Sequence, residues 1–304
     1  MAAKNYFVRA IRHMYRRSSK LRVSLRKSTE QLTPPAAEQL PLVIVPHSRR
    51  QRIINWLERS RFWPVVTALL LTLLVWWQVT EARIVPSFML PSPGAVWVAY
   101  AQLAHSGSLW KHIGATLSEA LLGFAVAFVL GVTLGYLLSR SALLSRVLGP
   151  YIAATQAMPM LALAPLLVVW FGLGLSSKVI ICALIVFFPI LVNTTVGLRS
   201  VDKDLVDASY TMGAGRWQAL RYVEIPLALR TLLGGIRMGL TLSLTGAIIG
   251  EFVASDSGLG FLMTVARTNF DSAMLFAAAI TMTSLAIFAY VGVGWIEYWL
   301  IDWD

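Results

Sequence analysis

Two ionisable side chains, Arg237 and Glu251, lie in one long apolar run of the sequence. A charge is costly to hold there and acts by attracting a counter-charge or a polar solute. Two placements are open. Both residues face a helix-bundle interior or a watery path, or they sit at opposite membrane surfaces, with Arg237 snorkelling inward and Glu251 outward. The equipment for covalent catalysis is missing: there is no G-x-x-x-x-G-K-[ST] phosphate loop, no G-x-S-x-G elbow and no H-E-x-x-H pair. His13, His47, His105 and His112 lack metal-ligand spacing, and the single cysteine, Cys182, falls in an apolar run. We therefore expect no catalytic residue, no metal site and no cofactor on this chain. "GLGL" (172–175) and "GLGF" (258–261) lack the third glycine of a dinucleotide fingerprint and read as turns.

The elements that must position such residues are set by composition. Of 304 residues, 57% are apolar and 13% charged, with a mean hydropathy of +0.67. A water-soluble globule cannot hide that balance inside itself, so the chain is read as an all-α, polytopic membrane protein. A spanning helix needs roughly 20 consecutive apolar residues. Six stretches qualify: 63–82, 115–138, 149–171, 178–198, 231–251 and 273–299. Pro150, Pro159 and Pro165 should kink the third or break it into a half-span.

The net charge is +11, but the location of the charge argues against nucleic acid. Fourteen of the 26 basic residues precede position 62. With the N-terminus inside, the inner loops add Arg140, Arg146, Arg199, Lys203, Arg216, Arg221 and Arg230, and the outer loops hold only Arg83, Lys111, Lys178 and Arg267. Basic residues concentrate in cytoplasmic loops, so both termini are placed in the cytoplasm. Trp76 and Trp77 at the outer side, and Trp295, Trp299 and Trp303 at the inner side, suit an interfacial belt. Residues 1–61 form a basic extension without the apolar core of a cleavable signal. Phe7, Ile11, Met14 and Tyr15 fall roughly on one face of a helix that would lie on anionic lipid; a solvated tail is the alternative. A Pro-punctuated linker and an amphipathic lead-in helix follow, and 62–304 form the membrane domain.

In the fifth span, Gly235, Gly239, Ser243, Gly246 and Gly250 are spaced so that they share a sector of roughly 80° on one helix face. Small residues let another helix approach closely, and this face would serve helix packing. Arg237, Ser243 and Glu251, with Met158 and Pro159 of the interrupted third span, are the candidates to line a translocation path.

Between the fourth and fifth spans the segment 199–229 is polar. Leu205, Ala208 and Met212 fall on one face of a short helix, flanked by Asp202, Asp204 and Asp207. Gly213 and Gly215 permit a sharp turn. "RWQALRYVEI" then resumes as a second helix exposing Trp217, Leu220 and Val223, and Pro226 should end it. Such a pair either packs on its own bundle or docks a partner.

Here the residues resemble the EAA motif of bacterial ATP-binding-cassette importer permeases, E-A-A-x3-G-x9-I-x-L-P. The chain reads Asp207, Ala208, Ser209, then Gly213, then Val223, Ile225 and Pro226, with every spacing kept. "FMLPSPGAVWVAY" (88–100), "TQAMPMLALAPLLVVWFGLGLSSKV" (155–179) and "GIRMGL…IIGEFVASDSGLGFLM" resemble segments of the subgroup for nitrate, sulfonate, taurine, bicarbonate and thiamine-precursor-type solutes. The likeness runs over about 63–300 and leaves out the N-terminal extension.

This resemblance implies a type I importer permease fold in the bacterial inner membrane. It makes Asp207, Ala208, Ser209, Gly213, Gly215, Trp217, Leu220 and Pro226 the segment seated on a cytoplasmic ATPase. It also implies two ATPase copies that bind the ATP and Mg, a second permease copy as a homodimer that the small-residue face could help pack, and an extracytoplasmic solute-binding protein, with lipid around the spans. By resemblance the solute is a small anion such as a sulfonate, taurine or nitrate, with bicarbonate or a vitamin precursor as alternatives. A secondary transporter would call for inverted repeats and intramembrane carboxylate pairs, and neither is evident. An intramembrane enzyme lacks a nucleophile.

Overall fold

The computed structural model describes residues 63–156, 158–253 and 255–300, so the basic extension, its lead-in helix and Trp303 lie outside the described residues. The chain divides into two units, Met1–Ala68 and Leu69–Asp304. Among the described residues of the second unit there are helices and turns and no strands. That follows from the solvent: in hydrocarbon every backbone N–H and C=O must be satisfied within the protein, and a helix does so internally.

In chain order the helices are α1 (Trp63–Glu81), α2 (Pro93–His105), α3 (Ser108–Arg140), α4 (Ala142–Gln156), α5 (Met160–Phe171) and α6 (Leu175–Arg199). They continue as α7 (Lys203–Thr211), α8 (Arg216–Ala219), α9 (Ile225–Val253), α10 (Leu259–Thr268) and α11 (Ser272–Leu300). A π turn, Leu220–Glu224, joins α8 to α9. Among the described residues five helical runs are long and apolar enough to cross a membrane alone, and α4 with α5, bent by 97°, brings the number to six when the pair is counted as one span. The single third span expected at 149–171 is therefore two helices. Pro159 is the N-cap of α5, and the residue before a proline is pushed away from helical geometry, so Met158 cannot carry α4 onward. Pro150 and Pro165 stay inside their helices.

The core is built around α6. On one side, Gly123, Ala127, Gly131 and Gly135 of α3 recur every fourth residue and are buried. A methyl group at Gly131 would lie 2.9 Å from Ile190 Cγ2, and one at Gly135 would lie 2.7 Å from Thr194 Cβ. On the other side lies the glycine face of α9: a methyl at Gly235 would meet Asn193 Cβ at 2.6 Å, and one at Gly246 would meet Cys182 Cα at 2.7 Å. Gly239 packs on Ile190 and Phe124, and Gly250 on Lys178. The α9 face thus packs inside its own chain and is buried there, which removes it as the surface for a second copy. Cys182, fully buried, packs with Ala127, Ala183, Val186 and Ile190 between the two glycine faces.

At the outer end, α2 starts on a Ser92 N-cap whose Oγ accepts from Ala95 N at 3.2 Å, with Pro93 at the first helical position. Its Tyr100, Leu103 and Ala104 cover a cluster formed by Leu109, Ala120, Leu244, Ala247, Leu259 and Met282. Trp76 of α1 donates its indole N–H to the Pro91 carbonyl at 3.0 Å, while Trp77, Trp295 and Trp299 are exposed, as an interfacial belt requires.

This packing predicts a strong size dependence at α6. Gly246→Leu forces α9 away from Cys182 and should cost about 1–3 kcal/mol, read as a lowered thermal midpoint of the detergent-solubilised protein. Gly234→Ala, whose added methyl meets nothing within 4 Å, should leave that midpoint unchanged or raise it. Equal effects from the two substitutions would contradict the arrangement.

Candidate functional site

The segment between α6 and α9 is assembled from local signals. Asp202 caps α7, its Oδ1 accepting from Asp204 N at 3.0 Å. The helix closes at Gly213, whose φ of +86° is accessible to glycine at no steric cost. Ala214 N reaches back to the Ser209 carbonyl at 3.0 Å. α8 then opens with the Gln218 side chain accepting from Gly215 N at 2.8 Å. Ser209 is buried with its hydroxyl on the Val206 carbonyl at 2.6 Å, and Ala208 is half-buried. Asp207, Tyr210, Met212, Gly213, Gly215 and Trp217 are exposed, the Trp217 side chain at 68%.

Two expectations for this segment are corrected. Leu220 and Val223 do not face outward but are buried. Nor does Pro226 end the helix, which runs unbroken from Arg216 to Val253. The cause of both is the π turn. Ile225 N bonds the Leu220 carbonyl five residues back, and this extra residue widens the helix just where Pro226 lacks an N–H and its ring would crowd the preceding turn. Leu220, Val223 and Glu224 all lie within this turn and are buried. Glu224, which had no role in the sequence reading, accepts from a single nitrogen, Arg140 Nη2, through both carboxylate oxygens, at 2.8 and 2.7 Å. Arg199 Nη2 donates to the Leu138 carbonyl at 2.6 Å.

The path candidates find separate partners. Arg237 is ion-paired with Glu297 of α11, and its guanidinium lies 4.8 Å from the Tyr290 ring centroid. Ser243 is buried against α6, its carbonyl accepting from Cys182 Sγ at 3.3 Å. Met158 and Pro159 are exposed at the α4–α5 elbow. Glu251 neither snorkels nor lines open space: at 2% exposure it holds the loop into α10. Its Oε2 accepts from Gly260 N, and its Oε1 accepts from Thr116 Oγ1 at 2.6 Å. Thr116 in turn accepts from Leu259 N at 2.8 Å, and His112 Nδ1 accepts from Gly258 N at 2.9 Å. Gly258, at φ +111°, leaves no room for a side chain because Glu251 occupies the space a Cβ would take.

Beside this cap, Lys178 of α6 is ion-paired with Glu119 of α3, and its Nζ donates to Ser255 Oγ at 3.1 Å. All three helices of the core therefore contribute a buried charge to one outer cluster. Sequence reading had put Lys178 in an outer loop and His112 outside the spans, because α3 and α6 begin earlier than apolar runs alone suggest. The signal available was Glu119, an acid inside the second apolar run that demands a partner. Among the described residues no group of His, Cys, Asp or Glu is arranged to hold a metal ion.

Comparisons with known proteins agree with this geometry. Residues 127–301 match the family described as binding-protein-dependent transport system inner membrane component. The chain is 46% identical over 246 residues to the riboflavin transport system permease protein RibX of Chloroflexus aurantiacus, covering 80% of this chain and 91% of that one. It is 33% identical to the formylaminopyrimidine transport permease protein ThiX of Halalkalibacterium halodurans, over 78% of this chain and 94% of the relative. With the taurine transport system permease protein TauC of Escherichia coli it shares 29% identity over 84% and 95%. Its fold is similar to that in an inward-facing structure of the MetNI methionine ABC transporter, with a TM-score of 0.59 at 19% identity over 66% of this chain and 99% of that one. The chain belongs to the family of binding-protein-dependent transport system inner membrane components.

Proposed function

We propose that this chain is the permease subunit of an ATP-driven importer, paired as a homodimer, with hydrolysis performed by two copies of a separate ATPase that bind the ATP and Mg. The observation that carries this reading is the cytoplasmic helix pair turned at Gly213, which exposes Asp207, Met212 and Trp217 while burying Ser209 and Leu220 beneath them. An exposed tryptophan on a polar segment outside the membrane is suited to a partner's groove. The rigid run from Arg216 to Val253 then carries motion of that surface into the membrane. The solute would arrive from an extracytoplasmic binding protein.

For the solute, we propose an uncharged heteroaromatic compound of the riboflavin or formylaminopyrimidine kind. Identity to the riboflavin permease exceeds that to the taurine permease, 46% against 29%. In addition, the cations within the spans that would greet an anion, Arg237 and Lys178, each sit on a carboxylate of a neighbouring helix. A sulfonate is the second reading, favoured by the taurine relative.

Tagged protein drawn from native membranes in mild detergent should bring an ATPase subunit with it; purification without any ATP-hydrolysing partner overturns the importer reading. Gly213→Trp places a bulky side chain where φ is positive, at a cost of about 1–2 kcal/mol. It should leave membrane insertion intact while abolishing ATPase co-purification and uptake. Unchanged uptake would remove this segment from the coupling role. Thermal stabilisation of the cognate binding protein should be largest with riboflavin or formylaminopyrimidine in a panel that includes taurine. The opposite ranking overturns the solute assignment and leaves the permease reading standing.

A further inference from the structure

The segment that bears Trp217 is continuous in chain with α6 at its entry and α9 at its exit, but α3 is separated from it in sequence by α4, α5 and α6. Even so, α3 grips it on both sides. At the entry Arg199 Nη2 bonds the Leu138 carbonyl, and at the exit Arg140, the last residue of α3, holds both oxygens of Glu224. A charge-assisted guanidinium–carboxylate contact is shorter and stronger than a neutral hydrogen bond. Glu224 is 2% exposed, so its carboxylate is held inside the protein, and it is presented there by the π turn, a departure from regular helix that frequently marks functional positions.

The core gives this contact a purpose. α6 is clamped between the glycine faces of α3 and α9, at separations where an added methyl does not fit. If the segment moved α6 and α9 while α3 stayed behind, the α3–α6 face would have to shear across interlocked backbones, which close packing resists.

We propose that the Arg140–Glu224 pair is a transmission contact, with Glu224 a positioning residue that makes α3 move together with the segment when the ATPase closes. This rests on the coupling role proposed above for 199–229. It adds a route that chain connectivity does not supply.

The test uses the complex purified with its ATPase, in a Cys182→Ala background, with nitroxide labels at the exposed positions Leu137 of α3 and Lys203 of the segment. Electron–electron distances are measured without nucleotide and after trapping with ATP and vanadate. In the otherwise native chain the 137–203 distance should be narrow and identical in both states. Glu224→Gln should broaden it and make it shift on trapping, with the ATPase still bound and the thermal midpoint of the complex still cooperative. The exchanged pair, Arg140→Glu with Glu224→Arg, should restore the narrow, nucleotide-insensitive distance. The proposal is overturned if Glu224→Gln leaves the distance unchanged, if the native distance itself shifts on trapping, if the exchanged pair behaves like the single variant, or if Glu224→Gln releases the ATPase. Failure of the coupling reading looks different: the native chain then purifies with no ATPase.

Discussion

The approach of α3 and α9 to opposite sides of α6 is the constraint on which the other contacts depend. Lipid tails are as apolar as leucine, so helices gain nothing in hydrocarbon from hiding apolar surface; van der Waals contact between closely fitted backbones has to hold them. Small residues at every fourth position of α3, Gly123, Ala127, Gly131 and Gly135, and the glycine-rich face of α9 allow that fit. Gly246 backs on the Cys182 backbone itself. Once α6 is seated, Lys178 is carried between Glu119 and Ser255, and the carboxylate of Glu251 is left facing the Gly260 N–H in the first turn of α10. The outer polar cluster is therefore a product of the glycine packing. Its charges are tolerable at membrane depth because each arrives already partnered.

Much of this was legible in the sequence, and the reasons differ by element. Span existence follows from apolar runs of sufficient length, which involve no distant partner. The turn at Gly213 and the cap at Asp202 are equally local, and they form as their residue types dictate. The α9 glycine face was visible as a face, but its partner was not, since spacing shows that a helix will approach without showing which one. The same stripe on α3, with Gly123, Ala127, Gly131 and Gly135 each four apart, carried the same signal and could have been read.

What stayed hidden depended on contacts far apart in the chain or on a change of helical register. Glu251 and Thr116 are separated by 135 residues, and nothing near Glu251 in sequence shows that a threonine hydroxyl and the Gly260 N–H will close around it. Arg237 looked like a counter-charge awaiting a solute because Glu297, 60 residues on, lies on another helix. Around Pro226, a correct local rule gave a wrong boundary. A proline does break a regular helix, but one inserted residue relieves the clash and also changes which side chains point inward, so Leu220 and Val223 moved from the exposed face to the buried one. Motif spacing survived because it counts residues along the chain, whatever the helix type between them.

The unbroken helix from Arg216 to Val253 also has a mechanical reading. Its 38 residues make a rod about 55 Å long. One end carries Trp217 in the cytoplasm, and near the other stands Glu251, bonded to the loop that opens α10. A hinge at Pro226 would have absorbed small rotations of the inner end. With the helix carried through Pro226, a tilt of about 5° at the cytoplasmic end would displace the outer end of a rod of that length by about 5 Å. Under the coupling role proposed for the segment, the angle is set at the cytoplasmic surface and the stroke falls at the opposite face.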